Sequence, residues 1–216
     1  MKNVFFKLET LFICLSICTL SVSVASIKHA KSKSPVRLII DTDAGFDVDD
    51  IGAITVANAL ADLGEVDIIA ISHTNGYVKG IGAVSTIMEY YGRSDVPLGA
   101  YKGEWAKNPR HGNHTADKYI SDLTSNWPSH VKNSTQVLTS VEVYRKALAE
   151  SPDNSVHIAS IGITTNMRDL VLSAPDKYSN LTGHDLIARK VKLMYVHVYI
   201  YTCAFSPIFS QYVPIN

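Results

Sequence analysis

The sequence predicts an α/β fold, in which helices cover both faces of an open, mostly parallel sheet. Three observations lead to this prediction. A short apolar, β-branched run at 36–40 is followed by an Ala-rich helical segment at 51–63, and then by a second apolar run at 66–72. A strand, a helix and a strand in this order form a right-handed crossover between parallel strands. Another apolar run at 156–160 leads into a turn and a helix start, which extends the same Rossmann-like pattern.

The predicted segments have recognisable ends. Gly64 follows the first helix in the usual position for a glycine that ends a helix. A second helix is predicted over 79–91, where apolar residues recur at helical spacing, and it leads to a short edge strand near Leu98. A further helix is predicted over 134–150 and is closed by Pro152.

Length and composition indicate one globular domain with a substantial core. The chain has 216 residues, of which 46% are hydrophobic and 19% are charged. Its formal net charge is zero, so no basic field favours nucleic acid as a partner. The polar stretch at 99–132 is predicted to be a long surface loop, of the kind that is usually functional or mobile.

Residues 1–25 are predicted to be a secretory signal peptide and not part of the fold. Lys2 and Lys7 give it a basic start, an apolar run follows, and small residues at 23–25 form a cleavage site. The apolar run is short and interrupted by Ser and Thr, so we expect secretion without a stable membrane anchor. Residues 26–35, rich in Lys and Ser, are predicted to be a flexible lead-in segment.

Three Asn-x-Ser/Thr sequons agree with a secreted protein. They predict glycosylation at Asn113, Asn133 and Asn180. Beyond the predicted signal peptide Cys203 is the only cysteine, so the mature chain cannot form an internal disulfide. We therefore expect an extracellular glycoprotein, in a compartment where calcium is abundant.

The chemically most informative stretch is 41–50, which contains five aspartates and no Lys or Arg. It follows the first strand directly, and ligands of open α/β sheets bind beyond the carboxyl ends of strands. Crowded carboxylates raise one another's pKa values unless a cation neutralises them. Calcium accepts about six to eight oxygen ligands, whereas zinc prefers His and Cys, which the stretch lacks. The stretch therefore predicts a calcium site, and Gly45 is expected to allow the sharp turn that brings the acids together.

Two other interpretations of the acidic stretch stay open. Asp49 and Asp50 are suited to cap the following helix, although capping does not account for Asp41 and Asp43. A phosphatase of the haloacid dehalogenase type also begins with Asp-x-Asp at a strand end. Such phosphatases usually have Thr or Val where this chain has Gly45.

The stretch resembles the opening signature of the nucleoside hydrolase family, Asp-x-Asp-Pro-Gly-x-Asp-Asp at the end of the first strand. The chain has the acids and the glycine of this signature at Asp41, Asp43, Gly45, Asp49 and Asp50. It has alanine in place of proline, and two extra residues before the final pair. By this resemblance the chain is identified as a divergent relative of the inosine/uridine-preferring nucleoside hydrolases.

Two further stretches carry the same resemblance. Asn75 follows the second strand, where the family has an Asn that helps to hold the ribose hydroxyls. Residues 161–166 resemble the family's Gly-x-Leu-Thr-Asn turn, in which a Thr main-chain oxygen contacts calcium, and Thr165 is the matching position. The likeness covers about 36–194, an incomplete nucleoside hydrolase-like domain that corresponds to the first half of a family member. Residues 195–216 are expected to form an atypical C-terminal tail.

The resemblance implies calcium-dependent hydrolysis of the N-glycosidic bond of ribonucleosides, which gives ribose and a free base. The implied calcium ligands are Asp43, Asp50 and the main-chain oxygen of Thr165. Asp43 would also be the catalytic base that accepts a proton from the attacking water. Asp49 and Asn75 would bind the ribose.

Asp41 is expected to lie behind these residues and to hold them in place. Because the later parts of the family's site have no counterpart in this sequence, the alternative is an inactive, truncated protein that still binds calcium. The expected partner is a ribonucleoside and not a nucleic acid, and the composition is compatible with a homo-oligomer.

Overall fold

The computed structural model of the chain describes residues 34–45, 47–107, 118–198 and 209–214. The predicted signal peptide, most of the lead-in segment, the sequon at Asn113 and much of the predicted tail lie outside these residues. Among the helices in the described ranges, none combines the length and the apolar character needed to cross a bilayer.

A seven-stranded sheet is the framework of the molecule, with the spatial order β4-β3-β2-β1-β5-β6-β7. The first six strands are parallel and β7 is antiparallel to β6. The strands are β1 Val36–Thr42, β2 Val66–His73, β3 Leu98–Ala100, β4 Leu138–Thr139, β5 Val156–Ser160, β6 Val191–Val198 and β7 Phe209–Pro214. This topology confirms the predicted α/β fold with a mostly parallel sheet.

Helices cover both faces of the sheet. In the described ranges they are α1 Asp49–Asp62, α2 Gly80–Tyr90, α3 Lys118–Asn126, α4 Ser140–Ala149, α5 Thr165–Val171 and α6 Gly183–Lys190. Two short 3-10 helices lie at Glu104–Lys107 and Ser134–Gln136. One hydrophobic core joins the sheet to α4, α5 and α6, and a second joins it to α1 and α2.

Strand β1 lies between the two cores. Ile39 belongs to the core under α4–α6, whereas Ile40 belongs to the core under α1 and α2. Successive side chains of a strand point to opposite faces, so an apolar residue is needed on each face here. Burial on both faces explains why the sequence of β1 is a continuous apolar run. Because β1 is held between the two cores, it also fixes the position of the acidic stretch that follows it.

Two predicted boundaries on the polar side of the chain are wrong. The helix predicted over 134–150 begins only at Ser140, because Thr139 and Glu142 form a capping box that starts it there. The predicted loop at 99–132 contains α3, whose Ile120 is fully buried in a small cluster with Tyr77. Polar residues dominate α3, so its low share of apolar residues made the segment resemble a surface loop.

One other sequence prediction agrees with the structure. Gly64 has a φ of 73° directly after α1, which is the left-handed conformation expected of a glycine that ends a helix. Strand β6 continues from Val191 to Val198, so the sheet extends past position 194. The predicted domain boundaries themselves stay predictions.

A buried arginine on α4 fixes the segment between α5 and α6. Arg145 is 1% exposed, and its Nε lies 2.9 Å from Oδ2 of Asp176. Its terminal nitrogens donate to Ser173 Oγ and to the carbonyl oxygens of Ser179 and Leu181. A guanidinium is suited to this position because its fixed fork of donors satisfies several acceptors at once.

Substitution of this arginine is the test of its role. We expect Arg145→Met to lower the free energy of unfolding by about 3 kcal/mol, because it leaves Asp176 and two carbonyls without their donor. Lys146→Met, on the exposed side of the same helix, is the matched control and should change stability by less than about 0.5 kcal/mol. Urea denaturation measures the stability of both variants. Equal midpoints for the two variants would contradict the role of Arg145 in fixing the segment between α5 and α6.

Candidate functional site

Three turns meet at the carboxyl edge of the sheet. The register pairs Thr42 of β1 with His73 of β2, and Asp41 of β1 with Ser160 of β5. The backbone N–H of Thr74 donates to the carbonyl of Thr42 at 2.8 Å, so the chain beyond β2 stays against the end of β1. The acidic stretch is therefore flanked by the turns after β2 and β5, where ligands of such sheets bind.

Gly162 sets how closely the turn after β5 approaches the acidic turn. A Cβ atom at this position would lie 2.5 Å from the backbone N of Asp43 and 2.9 Å from its Cγ. Any larger residue would push the two turns apart. The expected special role of Gly45 is wrong, because its φ is not positive and a Cβ there would meet its neighbours at 3.5 Å or more.

Asp41 lies in the interior, beneath the acidic turn. Its Oδ1 accepts hydrogen bonds from the hydroxyl of Tyr144 and from Nδ2 of Asn166, both at 2.8 Å, and Ser160 Oγ lies 3.4 Å from its Oδ2. Burial raises the pKa of Asp41 from 3.8 to about 7, although these hydrogen bonds act to lower it. The negative charge of Asp50 raises it further.

Asp43 and Asp50 are in direct contact. Asp50 is buried and its Oδ1 accepts a 2.5 Å hydrogen bond from Thr42, while its carboxyl is hydrogen-bonded to that of Asp43. Burial, and then neighbouring negative charge, raises the pKa of Asp50 to about 7 and that of Asp43 to about 6. A hydrogen bond between two carboxyls requires a proton on one of them, and a cation can replace that proton.

The carboxylates of Asp47, Asp49 and Asp50 form a group with the spacing of metal ligands. One oxygen from each lies within 4.8 Å of the others. Oxygens that share a calcium ion at about 2.4 Å lie no more than about 4.8 Å apart, so the group fits such an ion. Asp50 belongs both to this group and to the ligand set implied by the sequence, and Asp43 contacts it. Asp47 had no assigned role, because the two-residue insertion obscures its place in the signature.

Helix capping accounts for only a small part of the acidic stretch. Asp49 Oδ1 accepts the backbone N–H of Asp50 at 3.0 Å, but Val48, the residue that precedes α1, supplies no capping side chain. Within the described residues, none of the five aspartates pairs with Lys or Arg. Among the described residues, no Lys or Arg therefore neutralises the cluster.

The two other residues implied by the sequence lie on the flanking turns. Asn75 donates from Nδ2 to the carbonyl oxygen of Asp43 at 2.9 Å, and its Oδ1 accepts the backbone N–H of Tyr77. The hydroxyl of Thr165 lies 2.7 Å from that of Thr74, which ties the turn after β5 to the turn after β2. Both residues are thus fixed beside the acidic turn.

His73 is a structural residue at this edge. It is 1% exposed, its Nε2 lies 2.8 Å from the carbonyl oxygen of Ala44, and burial lowers its pKa to about 4. The imidazole is therefore neutral at pH 7 and supplies no positive charge to the acids.

The pKa of Asp49 is lowered, chiefly by its hydrogen bond with Asp47 and less by the imidazole of His197.

Sequence reasoning missed the side chains that hold the acidic turn from below and from outside. Tyr144 falls on the apolar side of its helix, a position typical of a core residue, and Asn166 lies where a helix begins. Tyr119 of α3 donates its hydroxyl hydrogen to the carbonyl of Asp47. The signal for Tyr144 was present, because a tyrosine on a buried stripe needs a partner for its hydroxyl.

Comparison with known proteins identifies the fold. No protein-family model and no curated protein matches the sequence. The structure is similar to that of the type III effector protein XopQ, solved in complex with adenosine diphosphate ribose, with a TM-score of 0.59 and 18% identity over 77% of this chain and 44% of that chain. The effector protein XOO4466 is similar with a TM-score of 0.59 and 17% identity, over 77% of this chain and 45% of that chain.

A plant nucleoside hydrolase, PpNRh1, is 24% identical over 62% of this chain and 41% of that chain, with a TM-score of 0.41. The chain spans less than half the length of each of these three proteins. The likeness to the two effectors shows a shared α/β fold.

The raised pKa values predict an unusual pH dependence. Asp41, Asp43 and Asp50 bind protons more tightly in the folded chain, with pKa values of about 7, 6 and 7, than at their ordinary value of 3.8. Without metal, the free energy of unfolding should therefore fall as the pH rises from about 4 to about 7. His73, whose pKa is lowered to about 4, makes the free energy of unfolding rise with pH up to about 6.5. The three carboxyls together have the larger effect, so the net change is a fall.

Urea denaturation in EDTA at several pH values measures this dependence. Added Ca²⁺ should remove the decline near pH 7, because the ion takes the place of the bound protons. A free energy of unfolding that rises between pH 5 and pH 7 in EDTA would contradict the assignment.

Proposed function

We propose that this protein binds calcium at the acidic turn and hydrolyses the N-glycosidic bond of ribonucleosides. The observation that supports the proposal is the set of five aspartates at the carboxyl edge of a parallel sheet, with no Lys or Arg paired to them in the described residues. Like charges gathered in this way destabilise the protein unless a cation joins them. The resemblance of the turn to the nucleoside hydrolase signature supplies the reaction.

The residues that would hold calcium lie on two turns. Asp50 belongs both to the ligand set implied by the sequence and to the group of three carboxylates at ligand spacing. Asp43 is hydrogen-bonded to Asp50. The main-chain oxygen of Thr165 is the proposed ligand from the turn after β5. Asp47 and Asp49 supply further carboxylates within ligand spacing of Asp50. When bound, the ion would supply positive charge that neutralises the carboxylates and makes an attacking water more acidic.

Asp43 is the proposed catalytic base. It is half-buried with a pKa of about 6, so near neutral pH its carboxylate is ionised and still basic enough to accept a proton from water. As the water oxygen bonds to the anomeric carbon of the sugar, the N-glycosidic bond breaks and its electrons leave with the nucleobase, which takes up a proton from solvent, while Asp43 returns its proton to solvent. The products are ribose and the free base.

Asp49 and Asn75 are proposed to bind the sugar hydroxyls. Asp49 is exposed at the rim of the turn, where its carboxylate can accept hydrogen bonds from hydroxyls. Asn75 uses one N–H on Asp43 and one lone pair on Tyr77, so a second N–H and a second lone pair are left for a ribose. The similar effector XopQ binds adenosine diphosphate ribose, which contains a ribose, and this compound is therefore a second substrate to test.

The alternatives differ from this proposal in ways that the structure makes testable. A phosphatase of the haloacid dehalogenase type would need Asp41 as its nucleophile. The Asp41 side chain is 0% exposed and accepts hydrogen bonds from Tyr144 and Asn166. Its carboxylate is therefore inaccessible to a substrate and unsuited to act as a nucleophile. An inactive protein that retains only calcium binding would take up the ion and release no base.

Substitution of the proposed ligands is the direct test. Asp43→Asn should reduce base release from inosine or uridine by at least about 100-fold, because it removes the proton acceptor. Asp50→Asn should also abolish stoichiometric Ca²⁺ uptake, measured by calorimetry. Asp95→Asn, an exposed carboxylate outside the turn, is the control and should leave both unchanged.

Each outcome of this experiment has a definite meaning. Calcium uptake without release of base from inosine, uridine or adenosine diphosphate ribose would support the inactive alternative. Failure of the parent protein to take up calcium would overturn the proposal.

We also propose that the chain is secreted and glycosylated. Asn180 is exposed in the segment fixed by Arg145, which makes it the most accessible sequon of those described, whereas Asn133 is half-buried and caps a 3-10 helix. Expression through a secretory pathway should give a product whose mass falls on glycosidase treatment. Asn180→Gln should remove one glycan, and an unmodified, retained chain would contradict secretion.

A further inference from the structure

The hydroxyl of Tyr144 connects helix α4 to the acidic turn. The side chain is 0% exposed, its ring belongs to the core under α4–α6, and its hydroxyl donates to Asp41 Oδ1 at 2.8 Å. A phenylalanine would fill the same core position, so packing alone does not require the hydroxyl. The hydroxyl therefore matters for its polar contacts, which are with Asp41 and also with Ser72 and Asn166, and the contact with Asp41 joins α4 to the acidic turn.

The same carboxylate oxygen also binds the turn after β5. Asn166 Nδ2 donates to Asp41 Oδ1 at 2.8 Å, and Asn166 directly follows Thr165 at the start of α5. Two donors from two different helices therefore converge on one oxygen atom of β1. The other oxygen, Oδ2, has the weaker contact at 3.4 Å with Ser160.

This arrangement fixes the orientation of the carboxylate. Rotation of Asp41 about its Cβ–Cγ bond would break both strong hydrogen bonds at once, and Asp41 is only two residues before Asp43. Asn166 in turn places the Thr165 main chain relative to the same strand. The side-chain contacts at Asp41 Oδ1 thus add to the backbone hydrogen bonds from Ile161 and Gly162 to the Asp41 carbonyl, which also hold the turn after β5 against the acidic turn.

We propose that Tyr144 is a positioning residue of the calcium site, which with Asn166 clamps Asp41 and so holds the acidic turn and the Thr165 turn at the separation that the ion needs. This inference rests on the calcium site of the proposed function. Residues that orient metal ligands without touching the ion commonly change metal affinity by about 10- to 100-fold. Tyr144 does so from a helix that supplies no ligand.

The variant Tyr144→Phe tests the clamp, because it removes the hydroxyl and keeps the ring. Calcium affinity, measured by titration of the folded protein with Ca²⁺ alone, should fall about tenfold. Ser160→Ala removes only the contact at 3.4 Å and should have a smaller effect, of about twofold. The order of these two variants follows from the lengths of the hydrogen bonds.

Two controls separate positioning from general stability. Tyr101→Phe removes a hydroxyl from another buried tyrosine that does not contact the acidic turn, and should leave calcium affinity within about twofold of the parent. Arg145→Met destabilises the fold from the neighbouring position of α4 and should likewise retain calcium affinity at a temperature where it is folded. A merely structural Tyr144 would behave as these controls do.

The outcomes distinguish this inference from the function on which it rests. If the parent binds calcium and Tyr144→Phe binds it equally well, the clamp is wrong and the calcium site stands. If calcium affinity decreases in Tyr144→Phe and not in the controls, but the parent releases no nucleobase, the positioning role of Tyr144 is supported and the proposed hydrolase activity is rejected. If the parent binds no calcium, both are overturned.

Discussion

Burial of carboxylates at the end of strand β1, together with their mutual repulsion, is the constraint on which the rest of this structure depends. The fold places Asp41, Asp43 and Asp50 within a few residues of one another and buries all or most of each, which raises their pKa values to about 6 or 7. A protein that needed only a stable turn would place apolar or neutral polar residues there. The arrangement costs stability near neutral pH, and a bound cation, as proposed, would offset that cost.

The parallel sheet makes this concentration of charge feasible. Each parallel strand ends at the same edge, so the turns after β1, β2 and β5 bring carboxylates, hydrogen-bond donors and close packing together without any long excursion of the chain. Gly162 and Asn75 contact the acidic turn from opposite sides, and Asp41 is held from below by α4 and α5. Strand β1 and the helices α4 and α5 that hold Asp41 are thus anchored in the hydrophobic cores, which gives the acidic turn a rigid base.

The sequence was sufficient for the fold class and for the position of the acidic stretch at the edge of the sheet, and the reasons are physical. Continuous apolar runs such as 36–40 arise only where both faces of a strand are buried, and an acidic stretch directly after one must lie at the carboxyl edge. Helix α3 was missed because its apolar positions are few, and the start of α4 was misplaced because a capping box overrides helical periodicity. Contacts between distant residues were not accessible to any local pattern, and Tyr144 with Asp41 and Gly162 with Asp43 are of this kind.

The pairing of β1 with β5 has a consequence for how the protein forms. Asp41 and Ser160 are neighbours in the sheet although 119 positions separate them in the chain. Such non-local pairing is slow because a long loop must close before any contact rewards it. During synthesis the first strand, with its acids, therefore emerges long before β5, which helps to bury Asp41. Until β5 has paired with β1, the carboxyl of Asp41 is solvated and its pKa is close to the ordinary value of 3.8. Their altered chemistry exists only once β5 has joined the sheet, so an ion that recognises it would select completed molecules over nascent ones.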